Sequence, residues 1–105
     1  MSLEQIQLLE GKEQEVLVPY GKEILKFVIQ FDDYNTQWFL NIINDLTQQV
    51  IVNGIYLILE RDALFGLGLD FGSLGLTDTD PNNEVPVDLK NDLGGRIQLI
   101  RDIDA

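Results

Sequence analysis

"EILKFVIQFDDYNTQWFLNIIN", residues 23–44, decides how the rest of the chain is read. Within 23–31, Leu25, Phe27, Ile29 and Phe31 alternate with Ile24, Lys26, Val28 and Gln30. A period of two belongs to a strand with one face in the core. Residues 37–44 repeat it, with Trp38, Leu40 and Ile42 on one face and Phe39, Asn41 and Ile43 on the other. Between them, "DDYNT" (32–36) has turn chemistry, because Asp and Asn side chains bond nearby backbone and tolerate left-handed angles. Asp32 and Asp33 beside Tyr34 and Trp38 also invite a second reading, an acid/base pair or a sugar-binding groove. Adjacent residues of an extended chain point to opposite sides, which serves such a pair poorly. The stretch predicts a hairpin.

Working toward the N-terminus, "EVLV" (15–18) predicts a short strand, and Pro19 with "YGK" (20–22) a turn. Residues 1–12 leave two readings open: a short helix with Ser2 and Gln5 as a capping box, or an extended arm. Toward the C-terminus, "NDLTQQ" (44–49) turns the chain. "VIVNGIYLILERD" (50–62) is β-branched and interrupted at Asn53-Gly54, where a bulge or bend competes with a hairpin. Ile55, Leu57 and Leu59 share one face of it, and Tyr56, Ile58 and Glu60 the other.

The stretch "LFGLGLDFGSLGL" (64–76) is unusual. Phe65, Leu67, Leu69 and Phe71 alternate with Gly66, Gly68, Asp70 and Gly72, so one face is large and apolar and the other almost bare backbone. It reads as a flexible glycine loop or as a strand whose bare face admits another backbone or subunit. Phe65, Gly66, Leu67, Gly68, Leu69, Phe71 and Gly72 are therefore the candidate interface. Leu74 and Leu76 continue with shifted parity, predicting a bulge near Gly72-Ser73. "TDTDPNNE" (77–84) is a polar loop, "VPVDL" (85–89) an edge-type segment because Pro86 cannot donate to a ladder, and "KNDLGG" (90–95) a turn. "RIQLIRDI" (96–103) is the last strand. About seven short, mostly antiparallel strands predict an all-β fold, a small sandwich or partly open β-barrel. Residues 14–105 form its single domain and 1–13 an N-terminal arm.

Composition narrows function. A chain of 105 residues with 45% apolar content supports one modest core. A net charge of −11, from 18 acidic and 7 basic residues, repels phosphate backbones and anionic lipid, so neither nucleic acid nor membrane is an expected partner. The exception is an acidic protein that mimics DNA and occupies a basic groove. No apolar run approaches the ~18 residues of a membrane helix. No basic segment precedes an apolar stretch in "MSLEQIQLLEGKEQE" (1–15), and there is no cysteine, so synthesis in the cytoplasm is expected. Without histidine or cysteine the usual triads and zinc sites are gone. Carboxylate-only hydrolysis would need a groove between two acids. Asp78, Asp80, Asn82 and Glu84 superficially follow a calcium loop, yet Asn83 stands where that loop has Gly and Leu89 where it has Glu. No enzyme activity, cofactor or metal is expected.

The order of these features resembles a known family. The hairpin, the Trp38 strand, the Gly54 bend and "LILERDALF" (57–65) come first. "GSLGLTD" (72–78), the polar loop and "NDLGGRIQLI" (91–100) follow. Carried by Trp38, Gly54, Gly72, Leu74, Asp78, Leu93 and Gly94, the likeness spans about residues 14–101. The chain resembles the baseplate plug proteins of contractile-tailed phages of the myovirus and cyanophage type, described as open β-barrels. It departs from them at "DDYN" (32–35), where family members often carry a basic or Asn-Glu-Arg-like turn. The resemblance implies a virion structural protein of the tail baseplate, made in the host cytoplasm. It would hold or close the hub by contacts with hub, spike, tube or wedge subunits, as an oligomer within the virion. No catalytic or cofactor residues come with it. The alternative is a small acidic regulatory or inhibitory module, such as a DNA mimic acting on a host protein.

Overall fold

The computed structural model describes residues 3–20, 22–67 and 72–102. Seven strands run in chain order: β1 (Leu3–Ile6), β2 (Gln14–Tyr20), β3 (Glu23–Asp32), β4 (Gln37–Asn44), β5 (Val50–Leu57), β6 (Ser73–Asp78) and β7 (Ile97–Asp102). They form two antiparallel sheets, a meander β2-β3-β4-β5 and a three-stranded sheet in the order β1-β7-β6. The sheets do not close into a barrel, so the all-β, partly open architecture is the one observed.

The β3–β4 hairpin forms where its alternation places it. Phe27 faces Ile42, Ile29 faces Leu40 and Phe31 faces Trp38 across the ladder, which puts the large side chains of both strands on one side. Phe27, Ile29 and Leu40 are fully buried, and Trp38 nearly so. The rings of Phe31 and Trp38 meet edge to face at 4.9 Å. Across the core lie Leu74 and Leu76 of β6 and Ile97 and Leu99 of β7, all buried, with Ile6 of β1 beside them. Burying such side chains is worth about 1.5–3 kcal/mol each before chain entropy is charged against it.

Polar side chains set the turns. Asp32 Oδ1 accepts from the backbone N–H of Tyr34 and of Asn35, closing the first hairpin. Asn44 Oδ1 does the same for Leu46 and Thr47 before β5. At Asn53-Gly54 the bulge wins over the hairpin. Leu40 pairs with Ile55 and Ile42 with Val52, so two residues of β5 oppose Asn41 alone. Gly54 takes φ 72° there, and its N–H donates to Asn41 Oδ1 at 2.6 Å.

Elsewhere the structure differs from expectation. Of the two readings of the N-terminal segment, residues 3–6 take the extended one and not the helix: β1 pairs with β7, and Ile6 is buried. Residues 85–89 form no strand, being held by side-chain contacts instead. Trp38 Nε1 donates to the Leu89 carbonyl, and Arg96 Nη1 to that of Val85 at 2.7 Å. Residues 63–66 are turn, not the start of a glycine-faced strand.

One side of the gap between the sheets is strapped shut. Leu59 bridges Leu76, the Glu60 N–H donates to the Leu76 carbonyl, and the Ala63 N–H donates to that of Leu74. Asp62 Oδ1 accepts from the backbone N–H of Leu64 and Leu74. The strap lies so close to β6 that a Cβ on Gly75 would collide with the Arg61 carbonyl. Here an absent side chain lets two backbones meet.

Candidate interaction surface

Of the sequence-derived interface residues, Phe65, Gly66 and Leu67 lie in turn or bend, not in a strand. Phe65 sits in the turn after the strap and is 86% exposed; Leu67 is also exposed. Gly66 takes φ 80° with open space where a Cβ would be, and Gly72 takes φ 93° just before β6. Gly68, Leu69 and Phe71 lie outside the described residues. Glycine at 66 thus serves a left-handed turn and not a close approach. What the segment presents is an aromatic ring in water. Phe65 also lines a shallow hollow with Ile58, Tyr56 and Ala63 along the end of β5. Tyr56 and Ile58 are each about two-fifths exposed.

A second surface was not legible as a site. On the side opposite the strap, β1 and β2 are the terminal strands of their sheets and do not pair with each other. A groove of about 210 Å³ runs between them, lined by residues 4–7 and 16–19. The direction of β2's backbone groups follows from its neighbours. The Asp45 N–H donates to the Ile24 carbonyl on the β4 side of β3, while the Phe31 N–H faces the other way and reaches Glu13 Oε2. Odd residues of β3 therefore bond toward β2, where their partners are Gln14, Val16 and Val18. Glu15, Leu17 and Pro19 turn their backbone groups outward. Pro19, lacking an N–H, occupies the one kind of ladder position where that loss is free. The signal was the proline and its parity; the edge had been assigned to Pro86 instead.

The paired acids of the hairpin tip diverge. Asp32 accepts from the Tyr56 hydroxyl at 2.8 Å and from Asn35 Nδ2 at 2.8 Å. These bonds, Tyr56 foremost, hold its carboxyl below the usual range and push the Tyr56 phenol up. Asp33 instead meets Lys90 Nζ at 3.3 Å. Two of the calcium-like acids, Asp78 and Asp80, are occupied too. Asp78 takes a two-pronged contact from Arg96, and Asp80 accepts from Asn83 Nδ2 at 3.0 Å in a local turn. Asp78 is held low chiefly by Arg96, and Asp88 by the side chain and backbone of Asn91. These carboxylates fasten loops to strands.

Comparison with protein-family models gave no match, and comparison with curated sequences gave no significant one.

Proposed function

We propose that the chain is an assembly module that works by protein–protein contact and not by catalysis. The observation that carries this is Phe65. Together with Tyr56 and Ile58, each about two-fifths exposed, it lines one apolar hollow at the end of β5, and clustered exposed apolar surface of this kind marks a contact site. Within that class, the order of motifs from the first hairpin to "NDLGGRIQLI" favours a structural subunit of a contractile phage tail, a hub or plug component of the baseplate. Its partners are then hub, spike, tube or wedge subunits, and its place is the virion.

Mass spectrometry of tail particles purified from the source that encodes the chain tests this. The expected result is the chain at a fixed ratio to the tube subunit. Its absence from intact particles would overturn the baseplate assignment. Displacement of DNA from a basic host protein by the purified chain would favour the acidic mimic instead.

A further inference from the structure

We propose that the β1–β2 seam is a strand-acceptor site. It takes one extended segment of a partner protein, basic and apolar in sequence, as an added strand on β2. The proposal rests on the assembly reading for the existence of a partner, and on the β2 edge for everything else.

The occupant's backbone is specified by hydrogen-bond valence. Glu15 and Leu17 each direct an N–H and a carbonyl into the open side of the sheet, and Pro19 adds a carbonyl. An extended chain matches that spacing, and main-chain bonds of this kind supply affinity in strand addition. The missing N–H of Pro19 ends the ladder, so the added strand is short. Strap and seam are not equivalent: the strap's backbone is already bonded to β6, whereas β1 and β2 remain apart. A strand in the seam would join the sheets on the side the fold leaves open.

Its side chains are specified by the walls. On the inner side the groove meets Ile6 and Val18, both buried, and half-buried Val16, so inward-facing residues should be apolar. On the outer side Leu17 is 56% exposed and Glu15 is exposed beside it. Among the described residues Glu15 has no ion-pair partner. A lysine or arginine opposite Glu15 satisfies a carboxylate that the fold leaves to solvent. A second copy of the chain is the poorer occupant, since two bodies of net charge −11 would meet at an edge that itself carries Glu15.

The experiment uses the purified full chain and a short, end-blocked peptide of valines flanked by lysines. Binding is read by fluorescence anisotropy and by amide hydrogen exchange. Saturable binding is expected, with exchange at the Glu15 and Leu17 amides slowed about tenfold or more. Leu17→Pro removes an N–H that β3 does not use, so it should keep the melting curve and weaken binding by at least about tenfold. Glu15→Lys leaves every backbone group in place and should reverse the preference toward a glutamate-flanked peptide. Failure of the lysine peptide to bind would overturn the proposal. So would binding that survives both substitutions. A dimer of the unliganded chain that dissolves in Leu17→Pro would assign the edge to a second copy instead. Particle composition separates the two readings. A chain absent from particles but binding through β2 sinks only the baseplate assignment. Normal incorporation of Leu17→Pro in particles that contain the chain sinks the acceptor site.

Discussion

Asp78 and Arg96 clasp each other across the start of the polar loop, Oδ1 to Nε at 2.8 Å and Oδ2 to Nη2 at 2.9 Å. The pair ties the end of β6 to the beginning of β7, and the same guanidinium holds the Val85 carbonyl. It therefore anchors the long irregular segment between those strands.

This contact predicts an acid limb in the stability profile. Arg96 first, and the Asp80 N–H after it, hold the Asp78 carboxyl below the ordinary carboxylate range. Its folded-state value lies under its unfolded one, so the stability it contributes is complete above the unfolded value of about 3.9 and is lost as pH falls through the depressed folded value. Asp32 and Asp88 shift in the same direction. Asp78→Asn should be less stable than the parent at neutral pH, and the gap should close as pH falls through the depressed folded value. Urea midpoints across the acid range read it; a gap independent of pH would mean that the charge of Asp78 is not what the clasp contributes.

Gly75 and Gly66 should respond differently to alanine. At Gly75 the new methyl runs into the Arg61 carbonyl, so the strap must move from β6, at a cost of about 1–3 kcal/mol. At Gly66 the space is open and only the φ of 80° resists, worth about 1–2 kcal/mol. The distinguishing readout is hydrogen exchange at the Glu60 and Ala63 amides, which should quicken in Gly75→Ala and stay unchanged in Gly66→Ala. Equal protection in both would deny that the strap depends on Gly75.

Trp38→Phe should destabilise the domain by about 1–3 kcal/mol. It removes indole volume from a site 1% exposed and strands the Leu89 carbonyl that Nε1 now serves. Denaturant unfolding gives the cost, and exchange in residues 85–92 should rise with it. An unchanged loop would show that the indole bond is incidental.

Phe65→Ser should leave stability within about 0.5 kcal/mol, because the ring is already in water. If the chain is an assembly module, the same change should lower its incorporation into particles severalfold. Full incorporation with an unchanged melting curve would remove Phe65 from the contact.

Much of the larger sheet was legible in residues 23–44 alone. Alternation of Leu25, Phe27 and Ile29 against Lys26, Val28 and Gln30, repeated around Trp38, is a local property, since each side chain's direction follows from its neighbours' backbone. Asp32 and Asn44 closed their turns through bonds spanning two or three residues, again within reach of a local reading. The rest depended on what came from far along the chain. Leu3–Ile6 shows no decisive period of its own and became a strand because β7 offered an edge. Asn53-Gly54 became a bulge because β4 continued to pair on both sides of it. The alternation that begins at Leu64 reads as a strand with a bare face, yet Asp62 and the strap bonds hold residues 63–66 in a turn, and a close backbone approach falls at Gly75. The open β2 edge is likewise a tertiary fact. Sequence showed Pro19 without a donor, but only the ladder to β3 determined that this residue, with Leu17 and Glu15, faces a seam that none of the described strands fills. Side-chain alternation is written residue by residue; which backbone edges remain unpaired is settled only when every strand has chosen its neighbour.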